Sequence, residues 1–92
     1  MTVTIQIGNT DNKLSQQEWA QYVADTRGLI NRYCTAIHFF GGSSNWEVWQ
    51  NVAWVFEIDE SSCLKMKYEL KSLRSRFLQD SIAITEGTTQ FI

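Results

Sequence analysis

The sequence predicts a single α+β domain, residues 1–92, with elements in the order β-α-β-β-α-β, and three observations carry that prediction. Segments of apolar and polar alternation recur with the period of two that marks a half-buried strand. Two longer segments repeat apolar residues at helical spacing behind residues that cap helices. Polar connections, one of them holding Gly41 and Gly42, separate these segments.

Thr2 to Gly8 is the first strand, with Val3, Ile5 and Ile7 on one face and Thr4 and Gln6 on the other. Asn9 to Lys13 is a polar turn. Ser15 and Glu18 then stand three apart as a capping box, with Leu14 and Trp19 flanking them as a hydrophobic staple. The helix that follows carries Trp19, Val23, Ile30 and Cys34, widened by Tyr22, Leu29 and Tyr33, and is expected to end near Tyr33.

Ala36 to Phe40 is the second strand, with Ile37 and Phe39 expected to face the core, and Val52 to Ile58 is the third. Asp59, Glu60 and Ser61 supply cap chemistry for a second helix with a stripe of Cys63, Met66, Leu70, Leu73 and Phe77. Gln79 to Ser81 interrupts it, Ile82 to Thr85 alternates as the fourth strand, and Gly87 permits a bend before Phe91 and Ile92.

Right-handed crossovers place both helices of such a chain on one face of a four-stranded antiparallel sheet, the ferredoxin-like arrangement, with expected strand order 4-1-3-2. Composition agrees: 43% hydrophobic and 20% charged residues are enough to form a core, which excludes a disordered chain. No apolar run reaches the ~20 residues of a membrane helix and the first residues lack signal-peptide character, so the expected location is the cytoplasm. Cys34 and Cys63 lack metal-ligand spacing and read as reduced thiols, and no cofactor motif is present.

The topology predicts where a site belongs. The first strand, second strand and second helix run toward one end of the sheet, so Asn9 to Lys13, Gly41 to Gln50 and Gln79 to Ser81 should converge there. Asn9, Asp11, Lys13, Gly41, Gly42, Ser43, Ser44, Asn45 and Asp80 are the candidate ligand-binding residues of this rim. A small anionic ligand is one candidate, cradled by backbone amides and hydroxyls of Gly41 to Asn45 near the first helix's N-terminus. Against it, glycine, serine and asparagine fill ordinary hairpin loops for conformational reasons, and no Walker A or GxGxxG spacing is present.

Trp46 and Trp49, together with Phe40 on the sheet face turned from the helices, are the candidate partner-binding residues; large aromatics equally close off cores. That open face should show Thr4, Gln6, His38, Phe40, Ala53, Val55, Glu57, Ala83 and Thr85. Its half-apolar character suits a protein partner or pairing of two chains face to face.

The segment Ser61 to Gln79 holds five basic residues against one acidic, a net +4, leaving −6 elsewhere. Lys67, Lys71 and Arg74 fall on one helix flank, which reads as a solvated face or as a guide for an acidic partner. Nucleic acid is disfavoured, because an RRM-like sheet needs stacking aromatics where Thr4, Gln6, Ala53 and Val55 stand. His38, alone of its type, has no carboxylate or cysteine at a catalytic spacing, and Asp11 and Asp80 form at most a carboxylate pair, so an enzyme is not expected.

The segments QIGNTDNKLSQQEW, HFFGGSSNWEVWQNVAW and LRSRFLQDSIAITEG resemble a group of short uncharacterised proteins encoded by actinobacteria and their phages. The resemblance implies no catalytic or binding residue. It implies a phage or phage-derived accessory protein acting inside a bacterial cell; the function expected from the polar rim and Trp46 or Trp49 is a binding module, protein-binding or inhibitory, with a small-ligand or nucleotide binder using Gly41 to Asn45 or a structural homodimer as alternatives.

Overall fold

The computed structural model describes residues 1–43 and 50–92. Its elements are β1 (Thr2–Gly8), α1 (Gln16–Tyr33), β2 (Cys34–Gly42), β3 (Asn51–Ile58), α2 (Glu60–Arg76) and β4 (Ala83–Gly87). The strands form one antiparallel sheet in the order β2-β3-β1-β4, the order expected, and both helices contribute to the core on one face. The fold is ferredoxin-like.

Alternation in β1 and β3 does what it predicts. Val3, Ile5 and Ile7 pair across the ladder with Phe56, Trp54 and Val52, and all six are buried beneath the helices. The capping box of α1 is complete: the Glu18 amide donates to Ser15 Oγ at 3.1 Å and the Ser15 amide donates to Glu18 Oε1 at 2.9 Å. Leu14 and Trp19 are both buried beside it. Thr26, absent from the expected stripe, is also buried, because its hydroxyl donates to the Tyr22 carbonyl at 2.7 Å and needs no other partner. Asp59 is the N-cap of α2 but makes no side-chain cap bond, contrary to the expectation from its residue type.

The main departure lies in β2. Its register against β3 slips between Cys34 and Ala36 and again between Ile37 and Phe39. Each irregularity adds one residue on β2 and so reverses the parity of everything beyond it. Ile37 faces the helices opposite Phe56, but Phe39 stands opposite Val55 on the open face and Phe40 opposite Trp54 on the helix face. Phe40 is therefore not an open-face residue. Its ring lies 5.3 Å from that of Trp54, and the Arg27 guanidinium sits 4.5 Å above it as a cation–π contact.

Residues 88–92 turn from β4 across the open face. The Thr89 hydroxyl meets that of Thr2, and the Phe91 ring lies 5.9 Å from the His38 ring. This path covers one end of the open face and leaves the end near the rim clear. No helix among the described residues is long and apolar enough to cross a membrane.

Candidate functional site

The three connections meet at one rim. The Asn9 amide donates to the Gln50 carbonyl at 2.8 Å, and Lys13 Nζ reaches Asp80 at 3.3 Å and Asp11 at 3.7 Å. Below the rim on the open face lies a cleft of about 630 Å³ that takes lining residues from all four strands.

Its floor follows from the register. Gly41, Ala53, Gln6 and Ala83 lie side by side across the sheet, three of them too small to fill the surface. In the next row inward stand Phe39, Val55, Thr4 and Thr85, of which Phe39 lines the cleft. Thr10, Asp11, Asp80 and Ser81 stand over the floor at the rim. Phe39, half exposed, is the aromatic residue of this cleft among the described residues. The sequence carries a hint of it in the run His38-Phe39-Phe40, but which ring faces the cleft depends on the bulge.

The candidate residues have different roles. Asn9 is buried and its side chain is fully used: Oδ1 accepts from the Leu14 amide at 3.0 Å, and Nδ2 donates to the Leu14 carbonyl at 3.0 Å and to Gln50 Oε1 at 2.9 Å. It fixes the entry to α1 rather than facing a ligand. Gly41 and Gly42 are the last residues of β2, paired with Ala53 and Val52, and are not a loop. Neither has a positive φ. Close approach requires glycine at Gly42, where a Cβ would run into the Asn51 carbonyl oxygen, whereas at Gly41 a Cβ would meet only the Phe39 ring, 2.9 Å away, which can turn aside.

Ser43 is occupied by Asn51. Its amide donates to the Asn51 carbonyl at 2.9 Å, and its hydroxyl accepts from the Asn51 amide at 2.8 Å. The described part of the Gly41–Asn45 segment is thus a closed ladder end, not an amide cradle. Ser44, Asn45, Trp46 and Trp49 lie outside the described residues.

Asp11, Lys13 and Asp80 are exposed at the rim as an acid–base–acid triad. The hydrogen bond and charge of Asp80, joined by Asp11, hold the Lys13 ammonium above its ordinary pKa. Arg74 supports the same rim from below, donating from Nη1 to the carbonyls of Gln79 at 3.0 Å and Asp80 at 2.9 Å. Lys13 is shared between two carboxylates and Arg74 donates to two carbonyls, so the described rim is close to neutral and its cations are already engaged.

His38 does have a carboxylate partner, which spacing along the chain could not reveal. Its Nε2 lies 3.0 Å from Glu57 Oε1, across the β2–β3 ladder. The hydroxyl of Thr2, then His38, and the Met1 ammonium hold the Glu57 carboxyl down at about 2. The cluster lies under the terminal segment and joins three strands. Both carboxylate oxygens of Glu57 have a protein partner there, so its geometry is that of a brace. Among the described residues, no three histidine, cysteine or acidic side chains gather as metal ligands would.

No family model and no curated protein matches the chain. Among solved structures, it is similar to a dimeric ferredoxin-like protein from an uncultured marine organism, at 12% identity and TM-score 0.49. That likeness covers 99% of this chain and 90% of the other.

Proposed function

We propose that the protein is a binding module, not an enzyme, that receives an extended segment of a protein partner in the cleft on its open sheet face. The cleft itself carries this reading: about 630 Å³, floored by Gly41, Ala53, Gln6 and Ala83 and crossing every strand. Enclosed small-molecule sites bury most of their ligand, whereas a trough that runs the width of a sheet suits a chain lying across it. Phe39 supplies an aromatic contact, Gln6 an amide in the middle of the floor, and Asp11 and Asp80 acceptors for basic or donor groups. The alternative anionic ligand has less support, because the Ser43 amide is used and the rim's cations, Lys13 and Arg74, are already engaged. The resemblance to phage-encoded proteins makes a bacterial host protein the first partner to seek.

The test fills the cleft without touching the core. Ala83→Phe places a ring on the floor, while Leu64→Ser alters the exposed outer face of α2 and serves as control. Affinity capture from host lysate with quantitative mass spectrometry should find a partner retained by the control and lost with Ala83→Phe. Equal recovery by both variants would remove the cleft from the interaction.

A further inference from the structure

The two edges of the sheet differ. On the β2 edge, two register irregularities bend the strand, the usual device that keeps an edge from recruiting another chain. The β4 edge has no bulge, and its one charge, Glu86, is already paired with Lys67 of α2. Its register against β1 is unbroken from Ala83 to Gly87, every residue of the strand is exposed, and it contains no lysine or proline. The terminal segment does not cover it, since residues 88–92 turn the other way, over β1 and β2.

Beside this edge, on the helix side, α2 and β4 enclose a notch of about 190 Å³ floored by Ile5, Leu70, Ile82 and Ile84. The third wall is the basic flank of α2: Lys67, Lys71 and Arg74. Lys67 is paired with Glu86 of β4, and Arg74 holds the Gln79 and Asp80 carbonyls. Lys71 has no acidic partner among the described residues. An apolar slot, an open hydrogen-bonding edge and a cation thus lie together on the opposite face of the sheet from the cleft.

We propose that the β4 edge and this notch are a docking site for an acidic, extended polypeptide segment that joins the sheet as a fifth strand. Its backbone pairs with β4, an apolar side chain enters the notch over Ile82 and Ile84, and a carboxylate two residues along, on the same face of the added strand, meets Lys71. Charge selects this occupant over a second copy of the chain. Twofold pairing of β4 with itself would set two α2 helices side by side, each from a segment of net +4, with like charges facing across the joint.

The probe is a capped synthetic peptide of about eight residues repeating isoleucine-threonine-glutamate-threonine, which sets isoleucine and glutamate on one face, compared with its counterpart carrying lysine for glutamate. Amide shifts of the full chain should move at Ala83 to Gly87 with the glutamate peptide only, and the effect should weaken with added salt. Lys71→Glu should weaken binding about tenfold, whereas Lys65→Glu, the same charge change away from the notch, should leave it nearly unchanged. Three results would each overturn the proposal. One is unmoved β4 amides at millimolar peptide, and another is equal binding of the two peptides. The third is a two-chain mass by light scattering with β4 amides protected from exchange before peptide is added, which would assign the edge to a second copy.

Discussion

A Cβ on Gly42 would sit 2.0 Å from the Asn51 carbonyl oxygen and 2.8 Å from Val52 Cα, both backbone atoms that cannot step aside. Gly28, in the middle of α1, meets nothing within 4 Å. The same substitution should therefore act in opposite directions. Gly42→Ala should destabilise by about 1–3 kcal/mol, the cost of overpacking, and Gly28→Ala should stabilise by about 1 kcal/mol through helix propensity. Urea unfolding midpoints at constant slope would read both, and a neutral Gly42→Ala would show that the end of β2 yields easily. Residue type alone did not separate these glycines; the difference is the distance to the neighbouring strand.

At the scale of elements, the end of α2 is built against its own residue preference. The Gln79 amide donates to the Arg74 carbonyl and the Leu78 amide to the Ser75 carbonyl, the paired bonds of a Schellman motif. That motif puts Leu78 in the left-handed region at φ 55, where glycine is preferred and a leucine is strained. Leu78 is also 82% exposed, so its side chain gains little from packing. Leu78→Gly is expected to raise stability by about 0.5–1 kcal/mol. A lower melting temperature for that variant would mean that the leucine contributes a contact its exposure does not suggest. In β2 the irregularity acts on a whole face: it exchanges Phe39 for Phe40 in the cleft, and with them the aromatic contact offered to a partner.

For the whole molecule, Glu57 is where three strands are tied together beneath the terminal segment. Its carboxyl titrates at about 2 in the folded chain against an ordinary 4.5. A lowered acid pKa stabilises the fold fully above the unfolded value and ceases to do so as pH falls toward the folded one. Melting temperature should therefore decline from about pH 4.5 toward pH 2, with Glu18 and Glu86, also lowered by their partners, adding to the fall. Glu57→Gln should be less stable than the parent at pH 7 and converge with it near pH 2. Parallel curves across that range would take Glu57 out of acid unfolding.

Local chemistry determined much of this protein. Period-two alternation placed β1 and β3, the Ser15–Glu18 spacing opened α1, and the order of elements required the strand order and the meeting of Asn9 to Lys13 with Gln79 to Ser81. These depend on neighbours a few residues apart or on the handedness of crossovers, and both can be read along a chain. Tertiary structure decided the rest. The bulges in β2 come from pairing with β3, the burial of Asn9 from bonds to Leu14 and Gln50, and the His38–Glu57 contact from strands that meet nineteen residues apart. Whether Lys71 borders water or an apolar notch likewise depended on where β4 lies against α2. A strand's period says that its side chains alternate; only its partner says which residue starts the count, and one inserted residue exchanges the two faces.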